Sequence, residues 1–172
     1  MNTTTTADRP ALAFYNANCK CTGCAAKFEL YPANGLVGGS ILLRLAKQMP
    51  ADPSANPPAF PSFDWTHEIS VRLTFDDLCR ILQVLRGETE SIADGKGIFH
   101  HSRRAATALH LCHVVEPCSC YKLEARRRMI DDPNDDTQAA IFLVESEALG
   151  LRLAIENSIG LIAFGIPSEV MA

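Results

Sequence analysis

No stretch of this sequence stays apolar for the roughly 20 residues that a membrane-crossing helix needs, so no membrane partner is expected. Nor is there a basic excess: 16 Lys and Arg stand against 20 Asp and Glu, a formal net charge of −4. Bulk charge therefore does not point to phosphate as the partner, although the placement of charge on one surface matters more than its sum. A phosphate-cradling glycine loop and a Gly-x-Ser-x-Gly nucleophile elbow are both missing. His110 and His113 have the spacing of a helical metal pair, but their segment reads as strand, where they point to opposite faces. These gaps favour a binding protein over an enzyme. The polar opening MNTTTTADRP has no apolar core behind it, so it does not read as a secretory leader. Cysteines are then expected as thiols in a reducing cytoplasm.

What is present is ordinary globular composition, with 47% hydrophobic and 21% charged residues. At 172 residues the chain suits one domain, or two small halves sharing a core. Alternation predicts strands over residues 25–31, 39–47 and 63–73, with Trp65, His67, Ile69, Val71 and Leu73 on one face of the last. Between them, residues 49–62 hold five of the ten prolines and read as a loop. Thr74 and Asp77 resemble a capping box, opening a helix over 75–86 that Gly87 stops. The pattern then repeats, with strands over 97–101, 107–115, 121–128 and 139–144 and an acidic loop at 131–136. Ser146 reads as the N-cap of a final helix over 147–164. That helix carries Leu149, Leu151, Leu153, Ile155, Ile159, Leu161, Ile162 and Phe164 around nearly its whole circumference, so it must be covered on more than one side.

Phe63-Asp64-Trp65, then Ile69-Ser70-Val71-Arg72-Leu73, then a helix ending Leu85-Arg86-Gly87 resembles the Whirly family of single-stranded-DNA-binding proteins. Ile98-Phe99-His100-His101 and Leu111 to Pro117 follow in the family's order, and the long terminal helix closes near Gly165-Ile166-Pro167. The order and spacing of these landmarks, over residues 19–167, carry the resemblance, which is taken to be to a bacterial-type member. The resemblance implies an α+β fold of two repeats, about 22–87 and 97–165, each of four antiparallel strands followed by a helix. Residues 1–18 and 168–172 are then tails. It also implies a homotetramer with central helices, joined through Leu151, Ile155, Ile159 and Ile162, and sheets projecting as blades. One departure stands out. Where the family has Lys-Gly-Lys-Ala-Ala, this chain has Thr22-Gly23-Cys24-Ala25-Ala26.

The expected function is sequence-independent binding of single-stranded DNA, in protection, recombination, replication or transcription, at a cytoplasmic nucleoid. RNA is an alternative for the same surface. Such binding needs cations along the phosphates and flat side chains under the bases. Lys20, Thr22, Gly23, Lys27, Phe28, Arg44, Trp65, Phe99, His100, Lys122, Arg126 and Arg128 are the candidate contacts. Tyr15, Tyr31 and Tyr121 are further stacking candidates, and Lys47, Arg72, Lys96, Arg103, Arg104 and Arg127 further cations. The acids are expected away from this surface, in the 131–136 loop and on the helices. The rival reading is a zinc-stabilised protein-interaction module using Cys19, Cys21, Cys24, Cys118 and Cys120. Only Cys21-x-x-Cys24 has the usual ligand spacing, and no cofactor is expected on the first reading.

Overall fold

The computed structural model describes residues 11–50, 60–132 and 135–166. Strands β1 (Ala11–Asn16), β2 (Cys24–Tyr31), β3 (Ser40–Lys47) and β4 (Ile69–Leu73) form one antiparallel sheet in that order, followed by helix α1 (Phe75–Leu85). A second sheet repeats the plan with β5 (Ile98–His101), β6 (Ala105–Val114), β7 (Cys120–Met129) and β8 (Asp136–Val144), followed by helix α2 (Glu145–Phe164). Two repeats of four antiparallel strands and a helix are thus present.

Strand alternation sorts each sheet into two faces. In the first, the rows Phe14–Ala26–Leu45–Ile69 and Leu12–Phe28–Leu43–Val71 face the core. In the second, Leu109–Ala125–Ala139 and Leu111–Leu123–Ile141 do so. The capping box forms as the sequence suggests: the Thr74 N–H donates to Asp77 at 2.8 Å, and the Asp77 N–H donates to the Thr74 hydroxyl at 3.4 Å. A cap of this kind is worth about 1 kcal/mol.

Four expectations need correction. The tail expected over 1–18 is a strand from Ala11 to Asn16, whose Phe14 meets Phe28 edge-on at 6.1 Å. Only Leu12 and Phe14 face inward from it, too short an alternation to stand out. Residues 1–10 and 167–172 lie outside the described residues, as does 51–59 of the proline loop. The strand expected over 63–73 starts only at Ile69. Asp64 Oδ1 accepts from the Thr66 and His67 N–H groups at 3.0 and 3.2 Å, and this turn lifts Trp65 and His67 off the sheet. Ser146 is not an N-cap. β8 runs straight into α2 at Val144, whose N–H donates to the Glu147 carboxylate at 3.0 Å.

The fourth correction concerns α2. Leu151, Ile155 and Ile162 are buried in the core of a single chain, and Ile159 packs partly against it. Leu151, Ile155 and Ile162 are therefore not open to a partner subunit, whereas Ile159 keeps part of its surface exposed. Leu149, Leu153 and Phe164 are the large apolar side chains that α2 leaves exposed. The helix end is fastened to the β2–β3 connection. Ala33 N–H donates to Leu161 O at 2.9 Å and Gly39 N–H to Ile162 O at 3.0 Å, which satisfies carbonyls that a helix terminus otherwise leaves open. A Cβ on Gly39 would sit 2.6 Å from Ile162 Cα, so only glycine permits this approach. The repeats interlock: α1 packs on α2 and on β6, while α2 reaches back to β1.

Candidate nucleic-acid interface

The outer face of the first sheet is built on four strands and one turn. Lys27 and Arg44 are paired across β2 and β3, and Ser70 extends the row on β4. The turn made by Asp64 lays Trp65 over this row, with Lys27 Nζ 4.4 Å and the Arg44 guanidinium 5.7 Å from the indole centroid. Both are cation–π contacts. Arg44 is fixed by two carboxylates, its Nε 2.7 Å from Glu68 and its Nη1 2.9 Å from Glu29. These bonds hold its proton more firmly than an ordinary arginine holds one. On the next row, Arg72 lies over the Tyr31 ring at 5.9 Å and donates to the Ser40 hydroxyl at 2.8 Å. Tyr15 and Phe63 stand at 5.7 Å near the other end of the face.

Where the sheets meet, an open groove of about 540 Å³ runs between Thr22, Gly23, Cys24, Lys47 and Gln48 on one side and Gln138, Ala140 and Phe142 of β8 on the other. Asn16 Nδ2 donates to Phe142 O and ties the two walls together. The hairpin tip above the groove is held by side-chain hydrogen bonds to its backbone. Asn18 Oδ1 accepts from the Lys20 and Thr22 N–H groups at 3.0 and 3.1 Å. Gln48 Oε1 accepts from the Asn18 and Gly23 N–H groups at 2.9 and 3.2 Å. Gly23 is required, because a Cβ there would lie 2.1 Å from Asn16 O. Lys20 and Thr22 are exposed on this tip.

The second sheet carries Phe99, Lys122, Arg126 and Arg128 on its outer face. Phe99 is 61% exposed and edge-on to His110 at 6.4 Å. Its cations are matched by acids on the same face. Lys122 pairs with Glu124, and Asp136 pairs with Arg126 and, at 4.0 Å, with Arg128. The Lys122 hydrogen bond holds Glu124 below the usual carboxylate range, and that of Arg126 does the same for Asp136. The expected segregation of acids therefore fails here and at Glu29 and Glu68.

Two candidate contacts are in the wrong place. Phe28 is buried in the core, because it falls in register with Leu43 and Val71. His100 alternates to the inner side of β5, where its Nε2 lies 3.2 Å from Asp77 of α1. Tyr121 is also interior, stacked on His113 at 4.7 Å. Gln48, Gln138 and Phe142 were not among the candidates. Phe142 sits between Ile141 and Leu143 in an apolar run, where alternation gives no sign of which residue faces out.

The cysteines do not assemble a metal centre: among the described residues no three Cys, His, Asp or Glu side chains are grouped to hold an ion. Cys24 opens β2 and Cys120 opens β7, on different sheets. Burial pushes the Cys24 thiol up to about 11. At pH 8 only about one Cys24 in a thousand is then a thiolate, the reactive form. Iodoacetamide at that pH should label the exposed Cys19 and Cys118 within minutes and leave Cys24 unmodified. Peptide mass spectrometry reads this, and fast labelling of Cys24 would contradict its burial.

No protein-family model and no curated protein sequence matches the chain. Solved structures do. WHY1 from Arabidopsis thaliana superposes with a TM-score of 0.71 at 14% identity, covering 90% of this chain and 85% of that one. The fold is the Whirly fold. PBF-2, described as a plant transcriptional regulator, gives 0.68 at 15% identity over 89% and 81% of the two chains. The trypanosome MRP1/MRP2 structure gives 0.55 at 16% identity over 88% and 92%. In this Whirly fold the cation-backed indole lies on the outer face of the first sheet, and the groove lies where the two sheets meet. No helix among the described residues is long and apolar enough to cross a membrane.

Proposed function

We propose that this protein binds single-stranded DNA without reading its sequence, as a homotetramer, and acts through binding and not catalysis. One observation carries the reading: Trp65 rests on Lys27 and Arg44, and the turn that carries it donates from the Asp64 N–H to the carbonyl of Lys47, which lines an open groove with Phe142. A base can stack on the indole while its phosphates follow the cations, which needs a π-face and charge but no particular base edge. A duplex hides both base faces in its stack and offers no equivalent contact. The shared fold with Whirly structures supports the same reading.

The tetramer rests on α2, which leaves Leu149, Leu153 and Phe164 uncovered on the helical side of the molecule. Closed symmetry would bury them and leave the sheet faces at the rim. DNA protection, recombination, replication or transcription at a cytoplasmic nucleoid would each use such a surface. The bacterial-type assignment is a reading of the sequence; the similar solved structures include one from a plant and one from a trypanosome.

The test is a fluorescence-anisotropy titration of one labelled sequence as single strand, duplex and RNA, at fixed salt. Single-stranded DNA should bind at least about fivefold more tightly than duplex, the least weight of one stacked base. Equal or tighter duplex binding overturns the reading. Tighter RNA binding reassigns the partner while keeping the surface.

A further inference from the structure

Arg126 and Arg128 project from one side of β7, two residues apart, and both are more than half exposed. Across the ladder, Asp136 stands opposite Arg128. Its two carboxylate oxygens accept from Arg126 Nε at 2.8 and 2.9 Å, and Arg126 Nη2 donates to the same group. Arg128 Nη2 is 4.0 Å away. The carboxylate is the more enclosed partner, 22% exposed against 57% and 62% for the two arginines. The guanidinium fork fits a carboxylate and a phosphate by the same geometry. We infer that Arg126 and Arg128 form a site for a backbone phosphate that the chain's own Asp136 fills when no nucleic acid is bound, an inference that rests on the single-strand reading above.

Exposed ion pairs are weak and screened by salt, so the carboxylate is readily displaced from the fork. Displacement does not remove it, however. Asp136 begins β8 and stays next to the incoming phosphate as a like charge. The pair thus has the geometry of an anion site and little net attraction for an anion. The first sheet differs in part: its Arg44 is likewise paired with acids, Glu29 and Glu68. Arg72 there has a hydroxyl and a ring as its partners, and Lys27 has a ring. Phosphates are held mainly along that sheet and the groove, while the second sheet is kept in check by Asp136. A purely structural role for the Arg126–Asp136 pair, as a cross-strand contact in the β7–β8 hairpin, predicts an effect on melting and none on salt dependence.

Asp136→Asn keeps the size of the side chain and removes its charge. Binding of a labelled oligothymidylate is measured by anisotropy across a salt series for the unmodified protein and the variant. The variant should show a log–log salt slope steeper by about 0.7 for each further phosphate that it neutralises, and affinity tighter by about fivefold at ~0.1 M salt for one such phosphate. Arg126→Gln should then cancel this change in the Asp136→Asn background. Asp136→Thr, suited to a strand, replaces the asparagine variant should that one unfold. Binding by the variant alone also supports the inference. Unchanged affinity and slope in a variant whose parent binds the strand overturn it and leave the function standing. Absence of binding by both proteins overturns both.

Discussion

Trp65→Ala is expected to weaken binding of a single strand by roughly 5- to 140-fold, the loss of about 1–3 kcal/mol that follows when one base loses its aromatic platform. The indole is half-buried on a turn outside the strands, so the sheet should survive its removal. The Asp64 turn that presents it is made by backbone N–H groups and does not need the ring. Trp65→Phe keeps a flat face over Lys27 and Arg44 and should recover most of the affinity. The readout is anisotropy at one salt concentration, with circular dichroism confirming the fold. Equal affinity in the alanine variant would show that the strand takes a path that misses this platform.

Ile155→Asp and Leu153→Asp should part company, although they sit two residues apart on α2. Ile155 is fully buried beneath Phe28 and Ile41, on the core face of the first sheet. A carboxylate there has no partner, and the cost is of order 4–5 kcal/mol or more. That is comparable with the whole stability of an ordinary domain, about 5–15 kcal/mol, so the chain should fail to fold. Leu153 is 46% exposed on the other side of the helix. An aspartate there is tolerated by one chain and repelled by its copies around a symmetry axis, so Leu153→Asp should give a folded, smaller species. Light scattering with circular dichroism separates the two results. A monomeric unmodified protein, or a Leu153→Asp variant with unchanged mass, would contradict assembly through this face.

The two-sheet plan was legible because each segment states its period locally. Ile69, Val71 and Leu73 alternate, and Thr74, Asp77 and Gly87 mark both ends of α1 without help from distant residues. Leu151, Ile155 and Ile162 were misread for a physical reason. A helix that is apolar all round reports that it is covered, but not whether its own sheet or another chain covers it. The site was less legible than the fold. Lys27, Arg44 and Trp65 were identifiable by type, yet their contact depends on a turn that ends a strand early. Phe28 and Phe99 were equally good aromatics in sequence, and only strand register sent one inward and the other out. Gln48, Gln138 and Phe142 form groove walls from segments about 90 residues apart, a proximity that no local pattern records.

The fastening of α2 to the β2–β3 connection has a consequence for how the protein is made. The first sheet emerges early in synthesis, but Leu151 and Ile155, which cover Phe28 and Ile41, lie more than 100 residues later. Until the Leu161 and Ile162 carbonyls reach Ala33 and Gly39, one face of that sheet is uncovered and its helix lid is absent. Contacts this distant in sequence slow folding and leave strands open to wrong partners meanwhile. The first repeat therefore does not mature by itself on the ribosome. A shortened chain lacking α2 would offer the bare sheet to chaperones or to aggregation, and the last turn of the last helix is the step that commits the first sheet to its native form.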